Sequence, residues 1–320
     1  MRYLDFERPL ATLEEELQEL RRRYETERNE ELLGRIERLE REVKRLRKEI
    51  FSNLTRWQKV QLARHPDRPK PLDLIAHMCD DFVELHGDRL FGDDAAVVAG
   101  LAKMGKYGVV VIGIQKGKDT EENLKRNFGM AHPEGYRKAI RLFDLADKLH
   151  LPVLTLVDTP GAYPGIGAEE RGQFSAIAHS IRRMLLLKVP SVAFITGEGG
   201  SGGALALAAA DRVYMLEYSI YSVISPEGAA SILFKDASRN REAAETLRIT
   251  ADDLYEFGII DGVIKEPLGG AHRDPKTTAL RIRRTFLKAL KELKGRSPRT
   301  LRMRRFKKYV RMGKWLEESY

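Results

Sequence analysis

The chain has 320 residues, of which 42% are hydrophobic and 32% are charged, and its net charge is +9 at pH 7. This composition is typical of a soluble globular protein with one or two domains. Because Cys79 is the single cysteine, a disulfide framework within one chain and a self-contained four-cysteine zinc site are excluded. The basic balance fits either solubility alone or an anionic partner, such as nucleic acid or a phosphorylated cofactor.

The amino terminus, MRYLDFERPL, has mixed charge and no apolar segment of the kind that marks a signal peptide. The longest run of small apolar residues, 202–210, is too short to cross a bilayer, which takes ~20 residues. No lipidation motif is present. We therefore expect a cytoplasmic protein without membrane contact, and the lone cysteine fits a reducing compartment.

A helical pattern occupies residues 10–56. Its apolar stripe consists of Leu10, Leu13, Leu17 and Leu20, and then of Ile36, Leu39, Val43, Leu46 and Ile50. These steps of three and four predict amphipathic helices, and the charged break at 25–30 predicts a turn between them. The proline-rich segment 65–71 ends the pattern. We therefore predict an N-terminal helical hairpin, residues 1–70, that packs on the body or contacts a partner.

Residues 71–275 alternate between short β-branched runs and longer helical patterns. The predicted strands are 108–114, 153–159, 192–196 and 212–216, and the predicted helices are 136–149, 173–187 and 203–210. This alternation predicts an α/β domain with buried parallel strands and crossover connections. Residues 276–320 are predicted to form a basic helical tail.

Three glycine-rich segments, 113–118, 158–165 and 197–203, each follow a predicted strand. In parallel α/β folds ligands bind beyond the carboxyl ends of the strands, so these segments are expected to meet in one cleft. The third segment, Gly197-Glu-Gly-Gly-Ser-Gly-Gly203, is read as a loop that precedes an alanine-rich helix. Because glycine permits close backbone approach and a helix start presents free amides, this segment predicts an anion or oxyanion site. Asp158 is interpreted as a turn cap.

Other functions are compatible with the same residues. Gly197, Gly199 and Gly202 match the dinucleotide fingerprint, with Glu217 about 20 residues on, so an NAD-dependent oxidoreductase is one alternative. Ser201 could serve as the nucleophile of a Clp-type serine hydrolase, although the seven histidines form no recognisable triad. Nucleic-acid binding rests only on the basic tail and is not expected. No residues have metal-ligand spacing, so we predict no metal in this chain.

Several sequence blocks together resemble one known family. They are 126–130, 133–139, Asp158-Thr-Pro-Gly-Ala-Tyr-Pro-Gly165, 167–173, Gly197-Glu-Gly-Gly-Ser-Gly-Gly-Ala-Leu-Ala206, 221–228 and Pro267-Leu-Gly-Gly-Ala-His-Arg273. In this order they are similar to the carboxyltransferase α subunit of the bacterial multisubunit acetyl-CoA carboxylase. The resemblance covers about residues 1–275 and is far more specific than any single glycine motif.

The resemblance implies a crotonase-like fold, a spiral of ββα units with an added N-terminal helical region. It implies an enzyme that transfers a carboxyl group from carboxybiotin to acetyl-CoA and forms malonyl-CoA for fatty acid synthesis. The partners implied are a β subunit that carries a zinc site, in an α2β2 assembly, a biotin carboxyl carrier protein and biotin carboxylase. No cofactor is expected to be bound covalently here, because the carrier protein presents the biotin.

The resemblance also implies a site in which no side chain acts as the base. The biotin ureido anion removes the proton from the acetyl group. The amides of Gly202 and Gly203 hold the ureido oxygen, while the partner subunit holds the thioester oxygen. The carboxybiotin pocket is expected to be lined by Gly199, Gly200, Arg126, Phe128, Gly129 and Tyr163.

Overall fold

The computed structural model describes residues 2–313 and begins with an antiparallel helical hairpin. Helix α1 (Arg8–Glu27) and helix α2 (Glu30–Ser52) are joined by two residues. Arg28 takes a left-handed conformation, with φ of 40°, and the Asn29 side chain accepts a hydrogen bond from the Glu31 amide, which caps α2. The predicted apolar stripe faces inward, and the predicted hairpin is confirmed.

A third helix, α3 (Arg56–Ala63), packs on the body of the protein. It begins with a capping box in which Thr55 and Gln58 each accept the other's backbone amide. Val60 and Ala63 are buried in one cluster with Ile220, which lies far along the chain. Residues preceding 70 therefore contribute to the body, and the division of the chain at residue 70 stays a prediction.

The centre of the body is an eight-stranded mixed sheet. The strands are β1 (Asp81–Glu84), β2 (Val97–Met104), β3 (Tyr107–Ile114), β4 (Val153–Thr159), β5 (Ser191–Gly200), β6 (Arg212–Leu216), β7 (Ile220–Ser222) and β8 (Gly262–Ile264). Their order is β1-β2-β3-β4-β5-β6-β8, and β7 pairs with the end of β5. The first three strands are antiparallel, and the pairs from β3 onward are parallel.

Helices cover both faces of this sheet. They are α4 (Pro71–Met78), α5 (Thr120–Lys125), α6 (Pro133–Leu149), α7 (Ile166–Glu170), α8 (Gln173–Leu185), α9 (Ser201–Ala208), α10 (Pro226–Phe234), α11 (Asn240–Leu247), α12 (Ala251–Glu256), α13 (Pro275–Leu293) and α14 (Pro298–Val310). Helices α6, α8 and α9 pack on one face, and α4 and α13 pack on the other. Every residue of β4 is consequently buried, as expected for a central parallel strand. The predicted α/β class is confirmed.

The predicted loop at residues 197–203 is wrong in its first half. Strand β5 continues through Gly200, because β7 supplies backbone partners to Glu198, Gly199 and Gly200. Helix α9 accordingly begins at Ser201, two residues earlier than predicted. Strand β7 has only three residues, and so short a strand carries too little periodicity to be predicted from sequence.

The predicted C-terminal tail is helical over α13 and α14, and it is anchored by a buried arginine. Arg305 Nη2 lies 2.8 Å from Asp211 Oδ2, and its Nη1 donates to the carbonyls of Met184 and Leu185 at 2.9 Å. These carbonyls belong to the end of α8, where a cation is favourable. Residues 314–320 of the predicted tail lie outside the described residues. No helix within residues 2–313 is long and apolar enough to cross a membrane.

Two buried histidines form a stacked pair where the N-terminal segment meets the body. The rings of His65 and His272 are 4.0 Å apart and nearly parallel, and within residues 2–313 neither ring nitrogen of His272 has a hydrogen-bond partner. Burial lowers the pKa of His272 to about 3, with further lowering by His65, Arg273 and Arg68. The neutral ring is therefore the form that the fold stabilises.

Acidification is expected to destabilise this junction. The pKa of His272 is lower in the folded state than its ordinary value of ~6.5 in the unfolded state. The contribution of the neutral His272 ring to folding stability is therefore complete above pH ~6.5 and decreases as the pH falls toward 3. Between pH 7 and pH 5 we expect the free energy of unfolding to fall by about 1–2 kcal/mol more in the wild type than in His272→Phe. Urea titrations at both pH values measure this difference, with exposed His86→Gln as the control. Equal pH dependence in the wild type and His272→Phe would contradict the expectation.

Candidate active site

The turn between β5 and α9 presents backbone amides that no side chain caps. The residue before the helix, Gly200, has no side chain, and no side chain caps α9. The first-turn amides, which include those of Gly202 and Gly203, are therefore left without a side-chain acceptor. Ser201 has a φ of 51°, a left-handed conformation that is uncommon for residues other than glycine and often found at functional sites. Free amides at a helix start favour negative charge, so the turn is suited to bind an anion.

Close packing against the segment 160–162 explains why two positions of this turn are occupied by glycine. A Cβ atom at Gly200 would lie 2.0 Å from the carbonyl oxygen of Pro160, and one at Gly203 would lie 2.7 Å from the amide nitrogen of Ala162. At Gly202 the added atom would meet only Ile177 Cγ2, at 3.4 Å. Gly200 and Gly203 are therefore required for packing, whereas the space around Gly202 would accept a methyl group.

A cavity of about 330 Å³ lies beside the start of α9. Ser201 and Gly202 form part of its wall, and the rest is mostly apolar, with Leu205, Val223 and Tyr309 among the lining residues. Tyr309 comes from α14, so the C-terminal region contributes to the same cavity. Its volume lies in the range typical of small-ligand pockets, which is ~300–1,000 Å³.

The predicted pocket residues 126–129 form a strained turn close to the end of β4. Phe128 is about half exposed, and the three consecutive residues from Asn127 to Gly129 all have positive φ angles. A Cβ atom at Gly129 would lie 3.1 Å from the carbonyl oxygen of Asp158. The Arg126 guanidinium instead donates to the carbonyl of Ala95 at 2.6 Å, so this arginine fixes the turn; within residues 2–313 it forms no hydrogen bond with the glycines of α9.

Tyr163, the last predicted pocket residue, is fixed to the start of α6. Its amide donates to the carbonyl of Ala131 at 3.1 Å, and its ring stacks on His132 with 4.1 Å between the ring centroids. The Gln173 side chain donates to the carbonyls of both Ala131 and Tyr163. The segment that packs under Gly200 and Gly203 is thereby held at its far end.

Sequence analysis missed a group of charged side chains, buried or half-buried, beneath the glycine turn, residues 199–203. Glu198 accepts hydrogen bonds from Lys116 and from Arg64, the latter at 2.7 Å, and Arg64 also pairs with Glu227 at 2.6 Å. Lys116 Nζ lies 3.4 Å from Asp158 Oδ1. Lys116 and Glu198 lie within two of the glycine-rich segments, 113–118 and 197–203. A charged residue inside such a segment was the sequence signal that could have indicated this group.

The charges in this group stabilise each other's ionised forms. Burial alone would raise the pKa of Asp158, but Lys116 and Lys70 together with the Glu198 amide hold it below its usual value. Burial alone would lower the pKa of Lys116, but Asp158 and Glu198 raise it above its usual value. Asp158 accepts the Glu198 amide at 3.0 Å, so it joins β4 to β5 and is not the turn cap that was predicted.

The two alternative sites do not have the required geometry. Gly197 and Gly199 lie within β5, so the tight turn that a dinucleotide fingerprint needs at its first glycine is missing, and Glu217 is paired with Lys265 at 2.7 Å. A serine nucleophile requires a histidine within hydrogen-bond reach, but in the described part of the chain no histidine hydrogen bonds to Ser201, and the histidine His179 lies beside Ser175 instead. Within residues 2–313 no three His, Cys, Asp or Glu residues are grouped to hold a metal ion.

The sequence itself matches the family described as acetyl co-enzyme A carboxylase carboxyltransferase-like, over residues 3–313. The chain belongs to this family. It is 55% identical over 314 residues to the acetyl-coenzyme A carboxylase carboxyl transferase subunit alpha of Geobacter metallireducens, and the aligned region covers 98% of both chains. It is 52% identical over 315 residues to the subunit of the same name from Carboxydothermus hydrogenoformans, which covers 98% of this chain and 97% of that one.

Solved structures of low sequence identity share the fold. Transcarboxylase 12S is 20% identical with a TM-score of 0.59, over 81% of this chain and 46% of that chain. A chain of the Pseudomonas malonate decarboxylase hetero-tetramer is 18% identical with a TM-score of 0.59, over 75% of this chain and 96% of that chain. The predicted crotonase-like fold is confirmed.

Proposed function

We propose that this chain is the α subunit of a carboxyltransferase that, with a β subunit, moves a carboxyl group from carboxybiotin to acetyl-CoA and forms malonyl-CoA. The family of the chain and the names of its relatives support this reaction. The structural observation that carries the proposal is the uncapped start of α9, where Gly202 lines an apolar cavity and the buried Gly203 follows it.

The role of the chain in this reaction is to stabilise negative charge. Carboxybiotin supplies the carboxyl group, and its ureido group supplies the base. The Gly202 and Gly203 amides donate to the ureido oxygen, on which charge develops as the carboxyl group leaves. One such donor in a water-excluded site typically lowers the barrier by roughly 3–4 kcal/mol. Because these donors are backbone groups on a packed turn, they need no reorganisation during the reaction.

The charged side chains near the turn are not free to act as general acids or bases. Lys116 pairs with both Glu198 and Asp158, and Arg64 is held between two carboxylates. This arrangement supports a reaction in which the substrate carries its own base. The other residues proposed for the carboxybiotin pocket are Gly199, Gly200, Arg126, Phe128, Gly129 and Tyr163. None of these six lines the cavity of about 330 Å³, and Arg126 is held by the carbonyl of Ala95.

The proposed complex contains more than this chain. A β subunit would hold the thioester oxygen of acetyl-CoA and carry the zinc site, in an α2β2 assembly in the cytoplasm. A biotin carboxyl carrier protein would present the biotin after its carboxylation by biotin carboxylase. The N-terminal unit 1–70 is the proposed contact for the partner, and nucleic acid is not expected to bind.

Reconstitution tests this proposal. The purified chain is mixed with a β subunit of the same family, free carboxybiotin and acetyl-CoA, and malonyl-CoA is measured by mass spectrometry. We expect product only when both chains are present, because each provides one oxyanion site. Malonyl-CoA formed by this chain alone would contradict the proposal, and so would tight NAD binding or labelling of Ser201 by a fluorophosphonate.

A further inference from the structure

The glycine turn has almost no side chains of its own to hold it. Between Glu198 and Ala204 the chain has four glycines and Ser201, whose φ is positive. Glycine loses more conformational freedom on ordering than any other residue, so such a segment stays fixed only if its neighbours hold it. On one side, Pro160 and Ala162 pack against the turn. At the start of the turn, Glu198 is the only charged residue of the segment 197–203.

Glu198 is fixed by both its backbone and its side chain. Its amide donates to Asp158 Oδ1 at 3.0 Å. One carboxylate oxygen accepts from Arg64 Nε at 2.7 Å, and the other accepts from Lys116 Nζ. The Glu198 side chain is 9% exposed, so these contacts are shielded from water and little screened. Three separate segments of the chain therefore converge on the residue directly before Gly199.

We propose that Glu198 is a positioning residue for carboxyl transfer. Clamped between Arg64 and Lys116, its carboxylate fixes the end of β5 so that the Gly202 and Gly203 amides keep the geometry that the developing oxyanion requires. This inference rests on the proposed function. A displacement of ~1 Å at a reacting centre lowers the rate by ~10²-fold, so even a small relaxation of the turn is measurable.

The two cations that hold Glu198 each have a second carboxylate partner. Arg64 keeps a second carboxylate, that of Glu227, whose Oε1 lies 2.6 Å away, and Lys116 keeps Asp158 at 3.4 Å. Removing the charge of Glu198 leaves each cation with one partner. Glu227 lies on α10 and is remote from the turn in sequence, so Glu227→Gln removes a carboxylate from the same arginine without touching β5.

The test compares Glu198→Gln with Glu227→Gln in the complex with the β subunit. For Glu198→Gln we expect kcat to fall by about 10- to 100-fold while the KM for free carboxybiotin changes less than about 3-fold. For Glu227→Gln both constants stay within about 3-fold of the wild type. Amide hydrogen exchange of residues 199–205 is expected to be at least about 10-fold faster in Glu198→Gln alone. Glu198→Asp, which keeps the charge but shortens the side chain, is expected to show the same loss of kcat.

Two results would overturn the proposal. One is unchanged exchange in residues 199–205 of Glu198→Gln. The other is a loss of kcat in both variants that follows only their loss of thermal stability. Because exchange is measured on the chain without substrate, it tests the positioning of the turn even if the wild-type complex forms no malonyl-CoA. An inactive wild-type complex would remove the proposed function and with it the role of Glu198 in carboxyl transfer.

Discussion

Replacing Gly203 by alanine is expected to lower malonyl-CoA formation by about 10²- to 10³-fold, with the two subunits still assembled. The added methyl group would lie 2.7 Å from the Ala162 amide nitrogen, 2.8 Å from the carbonyl carbon of Gly161 and 2.9 Å from the Tyr136 hydroxyl. Two of these atoms belong to the backbone, so the turn itself must shift. The shift moves the Gly203 amide away from the oxygen that we propose it stabilises.

Gly92→Ala is the control for this substitution. Gly92 lies between β1 and β2, and an added methyl group there would meet no atom within 4 Å. We expect its turnover to stay within about 5-fold of the wild type, because the backbone need not move. Turnover is measured in the reconstituted complex, assembly by size-exclusion chromatography and folding by thermal denaturation. Wild-type turnover in Gly203→Ala would remove the oxyanion assignment.

The largest effect on stability is expected from Arg68→Met, which leaves Glu266 buried without its cation. Arg68 and Glu266 form two hydrogen bonds, at 2.5 and 3.1 Å, and their side chains are at most 1% exposed. Arg68 Nε also donates to the carbonyl of Thr196 at 2.6 Å. Loss of one partner of a buried ion pair typically destabilises a protein by about 3–5 kcal/mol.

Two further variants serve as controls for the predicted destabilisation by Arg68→Met. Lys265→Met breaks a neighbouring pair in which the lysine side chain is 72% exposed, and such pairs contribute only about 0–1 kcal/mol. Arg68→Met/Glu266→Leu removes both buried charges and is expected to recover part of the loss. The free energy of unfolding in urea is compared for all four proteins. Equal values for Arg68→Met and Lys265→Met would show that the buried pair does not stabilise the fold.

The parts of the fold with local periodicity could be predicted from the sequence. The boundaries of β4 and β6 agree with their predictions to the residue, and the helical hairpin has its turn where the charged break suggested. Strands β1, β2, β7 and β8 were not predicted, and of these β7 and β8 have only three residues each, too few to show periodicity. The end of β5 was misread for the same reason, since glycines pair as a strand only where a partner strand exists.

The glycines of the candidate site could be located by sequence, but the groups that hold them could not. Gly202 and Gly203 are recognised because a glycine run before a helix is a local pattern. Arg64 and Glu198 lie 134 positions apart, and no periodicity connects residues at that separation. Ion pairs of this kind depend on the closed tertiary structure, which brings the ends of β4 and β5 next to α3.

The pairing of Arg64 and Arg68 with the end of β5 has a consequence for folding. These residues precede most of the sheet in the chain, so they reach Glu198 and Thr196 only after a loop of more than a hundred residues has closed. Contacts between such distant residues form late, because loop-closure entropy opposes them until the rest of the sheet is in place. A nascent chain therefore acquires secondary structure well before its glycine turn becomes rigid. We expect the turn to become rigid only when the segment 56–70 docks on the end of β5.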